Sequence, residues 1–170
     1  MINQQVKEAG TMPELVSRIV EVCIFRFNGS APEYLLLRRA LDEELYPNIW
    51  QLASGGIEEG ETAVAAALRE AFEETGLQPQ RMWVVPHMNV FYDARHDVVH
   101  HDPVFAIQVD GNAEPLLSPE HHMYEWCRRE RAHELLVWPG QAQMLDITHA
   151  YIVGGRTAAA LSELPLEMFK

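Results

Sequence analysis

The chain has 170 residues, a length suited to one domain of ordinary size. Its 48% hydrophobic and 22% charged residues exclude a wholly disordered or fibrous protein. A net charge of −12, from 25 acidic and 13 basic residues, argues against nucleic acid and anionic membranes as partners. An anionic substrate stays open if divalent cations stand between it and the carboxylates.

In chain order, residues 1–13 are polar and aperiodic and are expected to form a flexible arm, with a single domain over 14–170. Nothing near the N-terminus reads as a signal peptide, and no run reaches the roughly 18 apolar residues of a membrane span. A cytoplasmic protein is expected, with Cys23 and Cys127 as reduced, buried thiols. Residues 16–27 and 33–39 are rich in β-branched, aromatic and aliphatic side chains and flank the turn cluster Asn28-Gly29-Ser30-Ala31-Pro32, which predicts a hairpin. A loop over 40–49 leads through residues 50–53 to Ser54-Gly55-Gly56. Residues 62–75 form the clearest helix, Ala-rich and closed by Gly76 at the C-cap position. Strands are expected over 81–92, 103–109 and 122–128, with a His- and Asp-rich loop over 93–102 and a second loop over 111–119. From Arg129 the pattern is helical, in two pieces separated by Pro139-Gly140, with a bend at Gly154-Gly155. The order of elements predicts an α/β sandwich with helices covering a mixed sheet.

The chemistry concentrates in residues 55–77, GGIEEGETAVAAALREAFEETGL. At about 100° per residue, Glu74 falls about 40° from Glu70 and Glu73 about 60° to the other side, so three carboxylates share one helix face. Like charges at this spacing destabilise a bare helix, and a bound cation would remove that cost. Oxygen-only ligands suit Mg²⁺ or Mn²⁺ over zinc. Ala63, Ala66 and Ala67 project to the same side and are expected to leave room for ions and phosphates, while Val64, Leu68 and Ala71 form the core stripe. The glycines ahead of the helix allow close backbone approach to a ligand. On spacing alone, a solvated acidic face explains the carboxylates equally well.

The segment resembles the Nudix box, G-x(5)-E-x(7)-R-E-U-x-E-E-x-G-U with U aliphatic. Gly55, Glu61, Arg69, Glu70, Glu73, Glu74 and Gly76 occupy every fixed position, and Ala71 and Leu77 take the aliphatic places. The Leu-rich strand ending in Arg38-Arg39 and the Trp50-Gln51 approach are also similar to what precedes the box in many Nudix proteins. The resemblance implies an αβα sandwich with a mixed central sheet and a hydrolase of phosphoanhydride bonds. It implies Mg²⁺ (Mn²⁺ as an alternative) held by Glu70, Glu74 and Glu73, with the carbonyl of Ser54 as a further ligand. Arg69 would orient the acids by ion pairing, supported by Glu61. For the general base, Glu70 stands inside the box. Glu120, in SPEHHMYEW, is preferred, and Asp102 is the weaker rival.

The form LASGG lacks the proline that precedes the glycines in many members, and EHHMYEW is similar to the dihydroneopterin-triphosphate pyrophosphatase branch. Together these imply a nucleoside-triphosphate-like substrate, a dNTP or dihydroneopterin triphosphate, cleaved to a monophosphate and pyrophosphate. The alternative is a dinucleoside polyphosphate hydrolase, with Tyr92 placed to stack on a base. An ADP-ribose enzyme lacks its expected proline, an isopentenyl-diphosphate isomerase lacks its cysteine motif, and a noncatalytic nucleotide sensor remains the reading from another class. Trp50, Gly55, Gly56 and Arg38 complete the expected substrate contacts, with Arg39 pointing to the opposite face. Core packing is the expectation for Trp83, Trp126 and Trp138. His96, His100, His101, His121 and His122 read as polar loop residues rather than as a zinc site. A homodimer is compatible with everything above.

Overall fold

The computed structural model describes residues 12–169, so nearly all of the expected arm over 1–13 lies outside the described residues. One mixed sheet organises the chain. Its central path runs β4 (Trp50–Gln51), β3 (Ala31–Arg39), β2 (Ile19–Asn28), β7 (Val98–Gln108), β6 (Arg81–Asp93) and β9 (Glu163–Leu164). Three strands join off that path: β1 (Glu14–Val16) on β7, β5 (Ala53–Gly56) on β2 and β8 (His121–Cys127) on β3. The β2–β7 and β1–β7 pairings are parallel and the rest are antiparallel.

Alternation along the strands builds two cores. Val20, Val22, Ile24, Leu35, Leu37, Met82, Phe105 and Ile107 face helix α1 (Ala63–Thr75). Cys23, Phe25, Tyr34, Leu36, Trp83, Val85, Val104 and Ala106 face α2 (Arg129–Leu135) and α3 (Pro139–Ile147). The result is the expected α/β sandwich, and both cysteines are free and buried. α1 begins with Thr62, whose Oγ1 accepts from the Ala65 N–H at 3.2 Å, and ends at Gly76 with φ +66°, a left-handed conformation that glycine adopts without Cβ strain.

Four expectations need correction. Residues 93–102 are not one loop. β6 and β7 form a long hairpin in which only the tip is a turn, and His100, His101 and Asp102 lie in β7. Val98, His100 and Asp102 are buried in alternation, the period-2 signature of a strand beneath its polar composition. His121 and His122 likewise belong to β8.

Ala66 and Ala67 do not open space for phosphates. They are fully buried in the core, where their small side chains seat α1 close against the sheet, and Val64 and Leu68 are only partly covered. Pro139-Gly140 does not separate two helical pieces but opens α3, with proline in the first turn where its missing N–H costs nothing. After α3 the chain continues as a π-helical turn over Thr148–Val153, breaks at Gly154-Gly155 and resumes as α4 (Thr157–Ser162).

Candidate active site

The acids of α1 meet the glycine loop through a missing Cβ. A Cβ on Gly55 would fall 1.9 Å from Cδ of Glu70, so the Glu70 carboxylate occupies the space that glycine leaves. One turn on, Glu74 is buried, with the Ser54 backbone near enough to favour its charged form. Its second oxygen, Oε2, has no hydrogen-bond partner. Burial, then the charges of Glu70 and Glu120, push the Glu74 carboxyl well above its ordinary range. Burial also raises Glu70 against the pull of Arg69, with Glu73 and Glu120 adding to the rise. The exposed Glu120, 46 residues beyond Glu74 and next to the start of β8, therefore bears electrostatically on both acids.

Arg69 ties the loop and helix together. Its Nε and Nη2 donate to the two oxygens of Glu61 at 3.0 and 2.9 Å. Nη1 donates to Glu70 at 2.7 Å and to Glu73 at 3.2 Å, and Nη2 also donates to the Gly56 carbonyl at 2.7 Å. The planar fork of arginine makes this arrangement, which a point-charge ammonium cannot copy. Glu61 is held below the usual carboxylate range, first by its hydrogen bonds from Arg69. Glu73 sits on the exposed rim.

The residues suit a hard cation. An unpartnered buried carboxylate oxygen on Glu74 stands near Glu70 and Glu120, and the donors are all oxygen. Among the described residues no three His, Cys, Asp or Glu side chains are placed together to hold a metal ion, and Glu70 is turned toward Arg69.

On the α3 side of the sheet a cavity of about 590 Å³ opens beside Ser54. Arg39 and Tyr92 line it, as do Gln51 and Trp138. Arg38 does not. Its Nε donates to the Asn48 carbonyl, its Nη1 reaches the Met123 sulfur, and the guanidinium lies 5.6 Å from the Trp50 ring centroid. Of the arginine pair it is thus Arg39 that lines the cavity, because the register of β3 against β8 shifts between Arg38 and Arg39 and interrupts the alternation there. Trp50 packs beside the second core, and Trp138 takes the aromatic place at the cavity that had been expected of Trp50. Tyr92 is exposed at the wall, its hydroxyl donating to Asp97 at 2.7 Å.

At the cavity floor lies a polar cluster that sequence reasoning missed. Glu21 of β2 is buried; its Oε1 accepts from Asn89 Nδ2 of β6 at 2.8 Å and its Oε2 from Gln141 Nε2 of α3 at 2.9 Å. Burial pushes Glu21 up to about 7 despite these two donors. Asp102, the weaker candidate base, is fully buried 3.6 Å from His100 and does not line the cavity. No local spacing announces the cluster; a lone Glu inside an apolar strand was its only mark.

The NUDIX domain model matches residues 17–147. Nucleoside triphosphatase NudI from Escherichia coli is 29% identical over 116 residues, covering 64% of this chain and 81% of that protein. Among solved structures, a Caenorhabditis elegans Ap4A hydrolase binary complex aligns with TM-score 0.69 at 20% identity, over 82% of this chain and 99% of that one. The E. coli dihydroneopterin triphosphate pyrophosphohydrolase aligns with TM-score 0.63 at 22% identity, again over 82% and 99%. The chain spans only a third to a half of the first curated relatives it matches: an octanoyltransferase of Myxococcus xanthus, 30% identical, is covered over 34% of its length. A match across most of the chain, together with a complete box, means that this chain belongs to the Nudix family.

Proposed function

We propose that this chain is a divalent-metal-dependent pyrophosphohydrolase that cleaves a nucleoside-triphosphate-like substrate to a monophosphate and pyrophosphate. The carrying observation is the unpartnered, buried Glu74 oxygen beside the charges of Glu70 and Glu120, with Ser54, whose backbone bears on Glu74, lining a ligand-sized cavity. Glu70, Glu74, the rim residue Glu73 and the Ser54 carbonyl would hold Mg²⁺ (or Mn²⁺). Bound there, the metal neutralises phosphate charge and lowers the pKa of water.

The chain's own residues do the rest. Arg69 keeps Glu70 turned to the glycine loop. Arg39, on the cavity wall, meets phosphate oxygens. The exposed Glu120 carboxylate takes the proton of the attacking water. The likeness to nucleoside triphosphatase NudI and to a dihydroneopterin triphosphate pyrophosphohydrolase supports a triphosphate. A second reading, dinucleoside polyphosphate hydrolysis, is favoured by Tyr92 on the cavity wall and by the fold likeness to the Ap4A hydrolase.

The test is chromatographic product analysis with Mg²⁺ and a panel of deoxynucleoside triphosphates, dihydroneopterin triphosphate, dinucleoside tetraphosphate and ADP-ribose. Pyrophosphate and a monophosphate from a triphosphate support the proposal. Turnover of the dinucleotide alone replaces it with the second reading. Nucleotide binding without turnover of any compound replaces it with the sensor.

A further inference from the structure

The floor of the cavity is built to accept hydrogen bonds. Gln141 is fixed in orientation because its Oε1 accepts from the Leu52 N–H at 3.1 Å, which leaves its amide group to donate to Glu21. Asn89 donates to the other oxygen of Glu21. Asn89 sits where a Cβ on Gly140 would come 2.2 Å from its Oδ1, so the first turn of α3 is shaped around it. The two amides hold the carboxylate in one rotamer and use one lone pair on each oxygen. A second lone pair on each remains, and Glu21 lines the cavity. A link between α3 and the sheet for stability alone would be made as well by apolar side chains, because a buried carboxylate is costly to desolvate. The volume suits a small ligand. Trp138 stands edge-to-face with Tyr46, ring centroids 5.0 Å apart, and with Tyr92 it supplies aromatic surface around the floor.

We propose that Glu21, held by Asn89 and Gln141, is a specificity-determining residue that selects a heterocycle carrying a ring N–H beside an exocyclic amino group, the edge shared by guanine and the pterins. Such an edge presents two adjacent donors to the two oxygens of one carboxylate. Adenine and cytosine present one donor beside an acceptor, and uracil one donor between two carbonyls, so each sets a lone pair against Glu21. Hypoxanthine keeps the ring N–H and lacks the amino group. The inference rests on the functional reading above in taking this cavity as the substrate's, but recognition is separable from hydrolysis.

The experiment is calorimetric titration of the whole metal-free protein at pH 8 with guanosine, inosine, adenosine and 7,8-dihydroneopterin. Guanosine or dihydroneopterin is expected to bind about 10- to 100-fold more tightly than inosine and adenosine, as loss of a hydrogen bond to a charged partner dictates. The tighter of the two names the source of the edge. Glu21→Gln is expected to bring guanosine down to the level of inosine. Equal affinity for guanosine, dihydroneopterin and inosine overturns the proposal, as does a variant that keeps the preference or a protein that binds none of the four. The inosine comparison is made on the native protein, so it stands even if the variant does not fold. Because no turnover is needed, a protein that fails to hydrolyse triphosphates yet discriminates these ligands refutes only the catalytic reading. A hydrolase without discrimination refutes only this one.

Discussion

The two polar regions of this molecule are built in opposite ways. The acidic centre comes almost entirely from one stretch of 23 residues: Gly55 under Glu70, Arg69 over Glu61, and Glu74 one turn on. The cavity floor is assembled from β2, β6 and α3, by residues 68 and 120 positions apart in the chain. One region is dense in ion pairs and shaped by local helix geometry. The other holds Glu21 between two neutral amides, with the buried Asp102 close enough to push it up further, and exists only once the sheet and α3 have docked. Chemistry common to a family can sit in a contiguous motif, whereas ligand choice can vary residue by residue where distant elements meet.

The sharpest way to break this division is at Glu74. Glu74→Gln keeps the shape and removes the charge. Turnover is expected to fall about 10³-fold, about 4 kcal/mol of transition-state stabilisation. Mg²⁺ is expected to raise the melting temperature of the native protein and not of the variant, since a ligand that binds only the folded state stabilises it by mass action. Equal Mg²⁺ shifts in both would remove Glu74 from the metal site.

Gly55→Ala is next. The new Cβ collides with the Glu70 carboxyl carbon and forces the side chain aside. A displacement of this order costs about 10²-fold in turnover, while the circular dichroism spectrum stays native. Arg69→Lys sharpens the same region. One ammonium cannot serve Glu61, Glu70, Glu73 and the Gly56 carbonyl together, and turnover should fall roughly tenfold. Single-turnover kinetics separates that loss from weaker binding.

The smallest effect concerns stability at the cavity floor. Glu21 ionises near its ordinary 4.5 in the unfolded chain and near about 7 in the folded protein. Below about 4.5 both states are protonated. Between about 4.5 and 7 only the unfolded chain has released the proton, so the folded state loses stability as pH rises through this window. Glu21→Gln removes that loss. Relative to the native protein, the variant should gain about 1–3 kcal/mol between pH 4.5 and pH 8, read from urea midpoints. Shifted acids that do not interact with Glu21 cancel in the difference, whereas Asp102, whose charge adds to the rise of Glu21, contributes to it. A gap that narrows with pH would contradict the assignment.

The same contrast explains what could be read in advance. Glu70, Glu73, Glu74 and Arg69 follow from helix periodicity and a motif, because their neighbours in space are near neighbours in sequence. Glu120 bears on them from outside the box and was reached through the local string around it. The polar run 93–102 hid a strand because composition masked its alternation. Ala66 and Ala67 do share a side of the helix with Glu70, but that side packs on the sheet and buries Glu74 with them, which helix geometry alone does not reveal. Arg38 and Arg39 could be separated only once the sheet set which face each occupied. Beyond a lone Glu21 in an apolar strand, nothing local marks Glu21, Asn89 and Gln141 as a cluster, since their meeting is a product of tertiary packing.

The most direct measurement of the central claim is phosphorus NMR of a nucleoside triphosphate incubated with the native protein, with and without Mg²⁺, and with Glu74→Gln. Pyrophosphate and a monophosphate should appear with the native protein and Mg²⁺, and fall to near background when the metal is chelated or Glu74 is replaced. Undiminished hydrolysis in either condition, or release of orthophosphate and a diphosphate instead, would contradict the account.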